Sequence, residues 1–144
     1  MKKFHLPSLT VLAFMVTIFL SCSKKSDPDP RESFVGSWKL EEINGDTPSS
    51  PEVIKISNGT SPQTMVVKDW TNDDLEATIS SGGFELEDYT VRNVTLGGKK
   101  GDITWQNGTG KLKNDQLVMT WDLIVKYTDG TRLNDTWDEV YVKK

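Results

Sequence analysis

The side chains with the broadest reactivity are scarce in this sequence. The single cysteine, Cys22, ends an apolar run, and the single histidine, His5, precedes that run. A thiolate can act as a nucleophile, a metal ligand or an acyl acceptor, and an imidazole can act as a general base. Neither residue type occurs after Cys22. The rest of the chain therefore cannot build Ser-His-Asp or Cys-His catalysis, zinc sites of the Cys/His type or an internal disulfide.

Carboxylates are the remaining reactive groups, and they cluster at Asp73-Asp74-Glu76 and at Glu85-Glu87-Asp88. Two carboxyl groups about 5 to 9 Å apart can hydrolyse a glycosidic bond. Glu85 and Glu87, however, alternate along a strand and share its outer face, which is typical of a solvated surface. The stretch Asn72-Asp73-Asp74 lacks the spacing of a calcium loop. We predict no catalytic residues, no metal and no cofactor, and a carboxylate-dependent hydrolase is the least favoured function.

Five tryptophans are the other candidate functional residues, because aromatic faces stack on sugar rings and mark interaction surfaces. Trp38 and Trp121 fall in phase with apolar neighbours at every second position, which predicts a structural role for both. The phase of the other three is less settled. Trp70, Trp105 and Trp137 are therefore the candidate ligand-binding residues, with a structural role as the alternative.

The segment before Cys22 has the layout of a secretory signal. Lys2 and Lys3 precede an apolar run from 9 to 20, which is shorter than the roughly 20 apolar residues that a membrane-spanning helix needs. The stretch Phe19-Leu20-Ser21-Cys22 resembles the lipobox of bacterial lipoproteins, although its leucine stands two places before the cysteine and the commoner pattern has it three before.

This resemblance implies that the signal peptide 1–21 is removed and that Cys22 carries the lipid that anchors the protein in a membrane. Segment 22–33 then serves as lipidated cysteine and flexible tether. Because Ser23 replaces the aspartate that retains some lipoproteins in the inner membrane, we expect a lipid-anchored protein of the cell envelope, in the outer membrane. Without Lys2 and Lys3, 15 basic residues remain against 21 acidic ones, so the net charge of −6 disfavours nucleic acid as a partner.

Residues 34–144 have the turn signals and alternation of an antiparallel all-β domain. The clearest strand runs from 117 to 127, where every second residue is apolar. Asp129-Gly130 after it and Asn107-Gly108 before it each predict a tight hairpin. We predict an antiparallel meander of eight to ten strands that closes, or nearly closes, into a barrel and so removes exposed strand edges.

On the first predicted strand, Gly36-Ser37-Trp38 resembles the start of lipocalins and other calycin-type barrels, in which the tryptophan plugs the closed end. The segments 66–91 and 108–130 resemble small bacterial lipoproteins with a lipocalin-like β domain. The chain departs from lipocalins in its shorter domain, in the lack of a disulfide and in the lack of a clear carboxy-terminal helix. The resemblance implies a lipocalin-like barrel in which Gly36 and Trp38 are structural.

Two binding functions are compatible with these patterns. The favoured one is a lipid-anchored barrel that binds a small apolar or sugar ligand in its mouth, which requires an internal cavity of about 300 Å³ or more. The alternative is a structural or protein-interaction module of the envelope, with a filled barrel and an exposed apolar or aromatic patch.

Overall fold

The computed structural model describes residues 28–68 and 74–144, and within these ranges the chain is all-β with nine antiparallel strands. The strands are β1 (Gly36–Ile43), β2 (Val53–Asn58), β3 (Thr64–Lys68), β4 (Asp74–Ser80), β5 (Gly83–Leu86), β6 (Tyr89–Leu96), β7 (Lys99–Lys113), β8 (Gln116–Tyr127) and β9 (Arg132–Lys143). The predicted fold class and strand number are confirmed.

Eight of these strands close into a barrel, and the ninth lies outside it. The sheet order is β5-β4-β3-β2-β1-β9-β8-β7-β6, and a further pairing of β5 with β7 closes the ring. At this closure Phe84 faces Gly110 and Glu85 faces Thr109. β6 pairs with the earlier part of β7, from Lys99 to Trp105. β5 and β6 therefore follow each other along one edge of a single long strand.

The length of β7, β8 and β9 makes the two ends of the barrel different. The chain enters the barrel beside Gly36 and ends beside it, since Trp38 pairs with Lys143; we name this the entry end. At the opposite end β1 stops at Ile43, opposite Glu139, while β8 and β9 remain paired as far as Lys126 and Arg132. We name this the far end. Here β6 and parts of β7, β8 and β9 extend the sheet beyond the barrel.

Aromatic side chains fill the entry end. Trp38 is 1% exposed, and its indole Nε1 donates a hydrogen bond of 2.7 Å to the Phe34 carbonyl. The rings of Phe34 and Phe84 meet edge to face, with 5.2 Å between centroids. Gly110 makes room for this packing, because a Cβ at that position would lie 2.1 Å from Cζ of Phe84. Gly36, at φ +140°, adopts a backbone conformation that favours glycine.

The end of the predicted tether packs onto the barrel. Residues 30–34 form a turn, and the Arg31 guanidinium donates a 2.7 Å hydrogen bond to the Ser61 carbonyl in the β2–β3 loop. Asp29 accepts bonds from the same guanidinium at 2.9 and 3.0 Å, which lowers the pKa of its carboxyl to about 2. Residues 28–33 thus belong structurally to the entry end.

The predicted hairpin at Asn107-Gly108 is wrong, because β7 continues through it. Gln106 pairs with Asp122 and Thr109 with Thr120, so Asn107 and Gly108 together oppose Trp121 in a β-bulge. Bulges and tight hairpin turns both favour asparagine or glycine at a position with a left-handed backbone conformation. Asn107 has this conformation, with φ +52°. The predicted hairpin at Asp129-Gly130 is confirmed, since these residues join β8 to β9 and Gly130 has φ +86°.

Candidate functional site

An aromatic cluster lies at the far end, on the face that continues the barrel interior. Its members are Tyr89 on β6, Trp105 on β7, Trp121 on β8 and Trp137 on β9, one from each of four neighbouring strands. Trp105 is central: its ring centroid is 6.0 Å from that of Tyr89, in a stacked arrangement, and 6.2 and 5.8 Å from those of Trp121 and Trp137, edge to face. The register places these rings together, because Tyr89 pairs with Trp105 and Trp121 with Trp137.

Glu139 brings a carboxyl group into this aromatic cluster. It follows Trp137 and precedes Tyr141 in the inward-facing positions of β9. Its Oε1 accepts a hydrogen bond of 3.1 Å from Nε1 of Trp137, and its Oε2 accepts one of 2.9 Å from the Tyr141 hydroxyl. Burial raises the pKa of the Glu139 carboxyl, and the bonds from Tyr141, Trp137 and Trp121 oppose that rise.

A second acid, Glu52, interacts electrostatically with the Glu139 carboxyl. It immediately precedes β2 and is in phase with the buried Ile54 and Ile56, and its negative charge raises the pKa of Glu139 further. Burial and the charges of both glutamates also raise the pKa of Tyr141, which therefore remains a neutral hydroxyl donor at ordinary pH. The far end thus combines two acids with aromatic and phenolic groups.

The interior next to Glu139 is nearly filled. A cavity of about 20 Å³ lies between aliphatic side chains of β2 to β4 and Tyr89, Trp105, Trp121, Glu139 and Tyr141. Such a volume accommodates one group of the size of a water molecule. Tyr89 and Trp105 are themselves only partly buried, so the cavity lies close to solvent at the far end.

Of the three candidate ligand-binding tryptophans, Trp105 and Trp137 come into contact in the aromatic cluster, whereas Trp70 lies outside the described residues. Trp38 lies in the core near the entry end. Cys22, the predicted lipidation site, also lies outside the described residues.

The acids that the sequence analysis weighed for catalysis do not join this site. Glu85, Glu87, Asp88 and Asp74 are exposed, while Asp73 lies outside the described residues. Sequence reasoning missed Glu139 and Glu52 instead. The signal was present in the alternation of β9, where an acid occupies an inward-facing position between Trp137 and Tyr141.

No family model, curated protein or solved structure matches this chain. Within residues 28–68 and 74–144, no three acidic, histidine or cysteine side chains are grouped so that they could hold a metal ion. The same part of the chain has no helix that is long and apolar enough to cross a membrane.

Proposed function

We propose that the protein is a lipid-anchored component of the cell envelope whose barrel binds a ligand or partner non-covalently at the far end. The observation that carries this proposal is the convergence of Tyr89, Trp105, Trp137 and the Glu139 carboxyl at that end. Aromatic faces provide contact area at a low cost in side-chain entropy, and a few polar groups among them fix the orientation of a bound molecule.

The packing of the barrel favours binding at its rim over enclosure of a whole apolar ligand. A carrier encloses its ligand in a cavity of about 300 Å³ or more. The cavity beside Glu139 measures about 20 Å³. The inward-facing Met65, Val67 and Ala77 are fully buried and occupy the space that a carrier would leave free. A partner of this protein therefore inserts a small group at the far end and keeps most of its bulk outside, a requirement that an envelope protein and a small molecule both meet.

The anchoring part of the proposal is supported by the lipobox-like Phe19–Cys22 stretch. Residues 28–34 join the barrel at the entry end, so a lipid on Cys22 would direct the far end away from the membrane. Mass spectrometry of the mature protein should find acyl chains on Cys22, and globomycin-type inhibition of processing should accumulate the precursor. Mature protein that begins elsewhere or has an unmodified Cys22 would refute the anchor.

The binding part is tested by indole NMR spectra of the domain 28–144 during a screen of sugars, amines and apolar compounds. We expect a binder to shift the Nε1–H signals of Trp105 and Trp137 and to leave that of Trp38, at the entry end, unchanged. W105F should weaken binding, whereas the exposed K111A should not. Shifts of equal size at Trp38, or no shift with any compound, would contradict a site at the far end.

One observation favours a second function, that of a carboxylate-dependent hydrolase. Glu139 has a raised pKa and a second acid, Glu52, near it, and a general acid in glycoside hydrolysis needs such a shift. The cavity is too small for a sugar ring, so this function ranks below binding. Incubation with chromogenic glycosides decides the question, because any turnover that E139Q and E52Q both abolish would establish hydrolysis.

A further inference from the structure

We infer that the group received at the far end is a primary ammonium, from a small amine or a lysine side chain, held by the Glu139 carboxylate among the aromatic rings. The inference rests on the proposed function, since it names the chemistry of the bound group. Three features carry it: the charge of the site, the ring faces around it and the size of the space.

The first feature is a carboxylate without a basic neighbour. Among the described residues, no lysine or arginine lines the cavity or bonds to Glu139. A carboxylate has about four acceptor positions, and hydrogen bonds from the Tyr141 hydroxyl and the Trp137 indole use two of them. These two bonds leave room for a further donor, even with the Trp121 indole directed at the same carboxyl. Glu139 is partly buried, and because a charge held away from water is costly without a partner, a cation there would stabilise the site.

The second feature is the surrounding π system. Rings of Tyr89, Trp105 and Trp121 line the same cavity as Glu139, and Trp137 packs on Trp105. A cation within about 6 Å of an aromatic centroid is attracted by the negative ring face, most strongly by tryptophan. The described part of the chain already makes two such contacts. Nζ of Lys143 lies 5.3 Å from the Trp38 ring centroid at the entry end, and Nζ of Lys99 lies 5.6 Å from the Tyr127 ring centroid where β7 and β8 extend beyond the barrel. At the far end, the described part of the chain places no lysine or arginine in the cavity that these rings line.

The third feature is size. A –NH₃⁺ group is about as large as a water molecule, which is the size of group that so small a cavity accommodates. The cavity beside Glu139 measures about 20 Å³. A trimethylammonium head is several times larger than –NH₃⁺ and would have to displace Trp105 or Tyr89. The site should therefore select primary ammonium ions over quaternary ones and leave the alkyl chain to pass out along the rings of the far end.

The electrostatics of Glu139 make this binding dependent on pH. Burial and the charge of Glu52 raise the pKa of Glu139. Two phenols, Tyr141 and Tyr89, line the same cavity, and Tyr141 remains neutral because its own pKa is raised. Protonation of Glu139 removes the anion that the ammonium pairs with, and an alkylammonium stays charged up to a pH of about 10. Amine binding should therefore weaken as the pH falls toward and below the raised pKa of Glu139.

A matched set of probes tests the inference. The full-length mature protein in detergent, with ¹⁵N-labelled indoles, is titrated with n-butylammonium, with n-butanol as the uncharged counterpart and with n-butyltrimethylammonium as the larger cation. We expect n-butylammonium to shift the Trp105 and Trp137 signals with an affinity at least about tenfold above that for either control. E139Q should lose about tenfold for the amine alone, while the exposed control E87Q should not. A second arm compares a lysyl peptide with its norleucyl counterpart and distinguishes a protein source of the ammonium from a small amine.

The outcomes separate this inference from the proposed function. Equal binding of butanol and butylammonium, or an E139Q variant that binds the amine like the wild type, would overturn the ammonium inference and leave a far-end site intact. Failure of all three probes, together with a compound from the broader screen that still binds through Trp105, would overturn the inference in the same way. If neither a compound of the screen nor the lysyl peptide binds at Trp105 or Trp137, the proposed function itself is refuted. Circular dichroism of E139Q verifies that the variant is folded.

Discussion

The charged form of Glu139, which would bind a cation, is also the form that destabilises the folded domain. Its carboxyl lies among indole and phenol rings, where the charged form is poorly solvated, and Glu52 adds a like charge. Hydrogen bonds from Trp137 and Tyr141 hold it in place and offset part of that cost. The same bonds fix the two rings beside which a ligand would bind.

Glu139 should make the domain less stable as the pH rises. Its folded pKa is raised above the ordinary value of 4.5, so the folded state binds more protons than the unfolded state between those two values. With respect to this group, stability is therefore highest below pH 4.5 and falls as the pH rises through the folded pKa. Urea unfolding of wild type and E139Q from pH 4.5 to 8 measures the slope.

In E139Q this slope should disappear, whereas E85Q, an exposed acid on β5, should retain it. A wild-type stability that increases over this pH range would contradict the assignment. The chosen range excludes pH values below 4.5, where Asp29 titrates. Arg31 lowers the pKa of Asp29 to about 2, so this carboxyl makes the domain more stable as the pH rises, the opposite of the effect of Glu139.

Gly110 is a second residue with a measurable effect. In G110A the new methyl group would lie 2.1 Å from Cζ of Phe84. We therefore expect destabilisation of about 1–3 kcal/mol or more by overpacking. Denaturant unfolding compares it with K111A, an exposed neighbour whose effect should stay within about 0.5 kcal/mol. The double variant G110A/F84L should be more stable than the two separate changes predict, because leucine removes the clash, and strict additivity would refute this explanation.

At the scale of elements, β7 determines the architecture. Its 15 residues pair with β8 along one edge and with β6 and then β5 along the other. The bulge at Asn107-Gly108 lies between these two partners and accommodates the Trp121 ring, since a Cβ on Gly108 would lie 2.3 Å from that ring. One strand therefore both closes the barrel and carries the extension that holds Trp105.

The exposed edge of β6 should be the least protected strand edge of the described structure. β6 pairs with β7 alone there, and a bulge at Arg92-Asn93, with Asn93 at φ +57°, interrupts its ladder. Bulges of this kind discourage pairing with another chain. Hydrogen exchange should be slow for the amides of Leu117 and Met119 on β8. It should be fast for the β6 amides that point away from β7, toward the unpaired edge. Equal protection would show that another strand covers β6.

The sequence predicted most of the elements and only part of the site. Strict alternation from Leu117 to Tyr127 fixed the inner face of β8, because one side of that strand is buried. The bulge at Asn107-Gly108 could not be distinguished from a hairpin, since both use a left-handed asparagine. The sequence pattern does not specify that β5 pairs with β7 to close the barrel either, because this pairing depends on where β6 leaves the barrel. Glu139 occupies an inward-facing position of β9, but the apolar residues around it carry the signal for that strand.

For the molecule as a whole, the entry end should face the membrane and the far end should face away from it. Six residues, 23–28, separate Cys22 from Asp29, whose carboxylate bonds to Arg31 on the barrel. A chain of six residues spans at most about 20 Å. Fluorescent labels on K113C, at the entry end, and T128C, at the far end, can be compared on the anchored protein in vesicles with brominated lipid. Quenching should be stronger for K113C, whereas equal quenching, or stronger quenching of T128C, would contradict this orientation.

Lys144 lies beside the start of β1, since its amide donates a hydrogen bond of 2.9 Å to the Ser37 carbonyl. A fluorescent protein or epitope fused behind Lys144 would therefore occupy the same pole as the lipid and leave Trp105 uncovered. The opposite pole offers the turn at Asp129-Gly130 for grafting a peptide. The barrel could thus display a grafted peptide at one end while a fused tag occupies the opposite end.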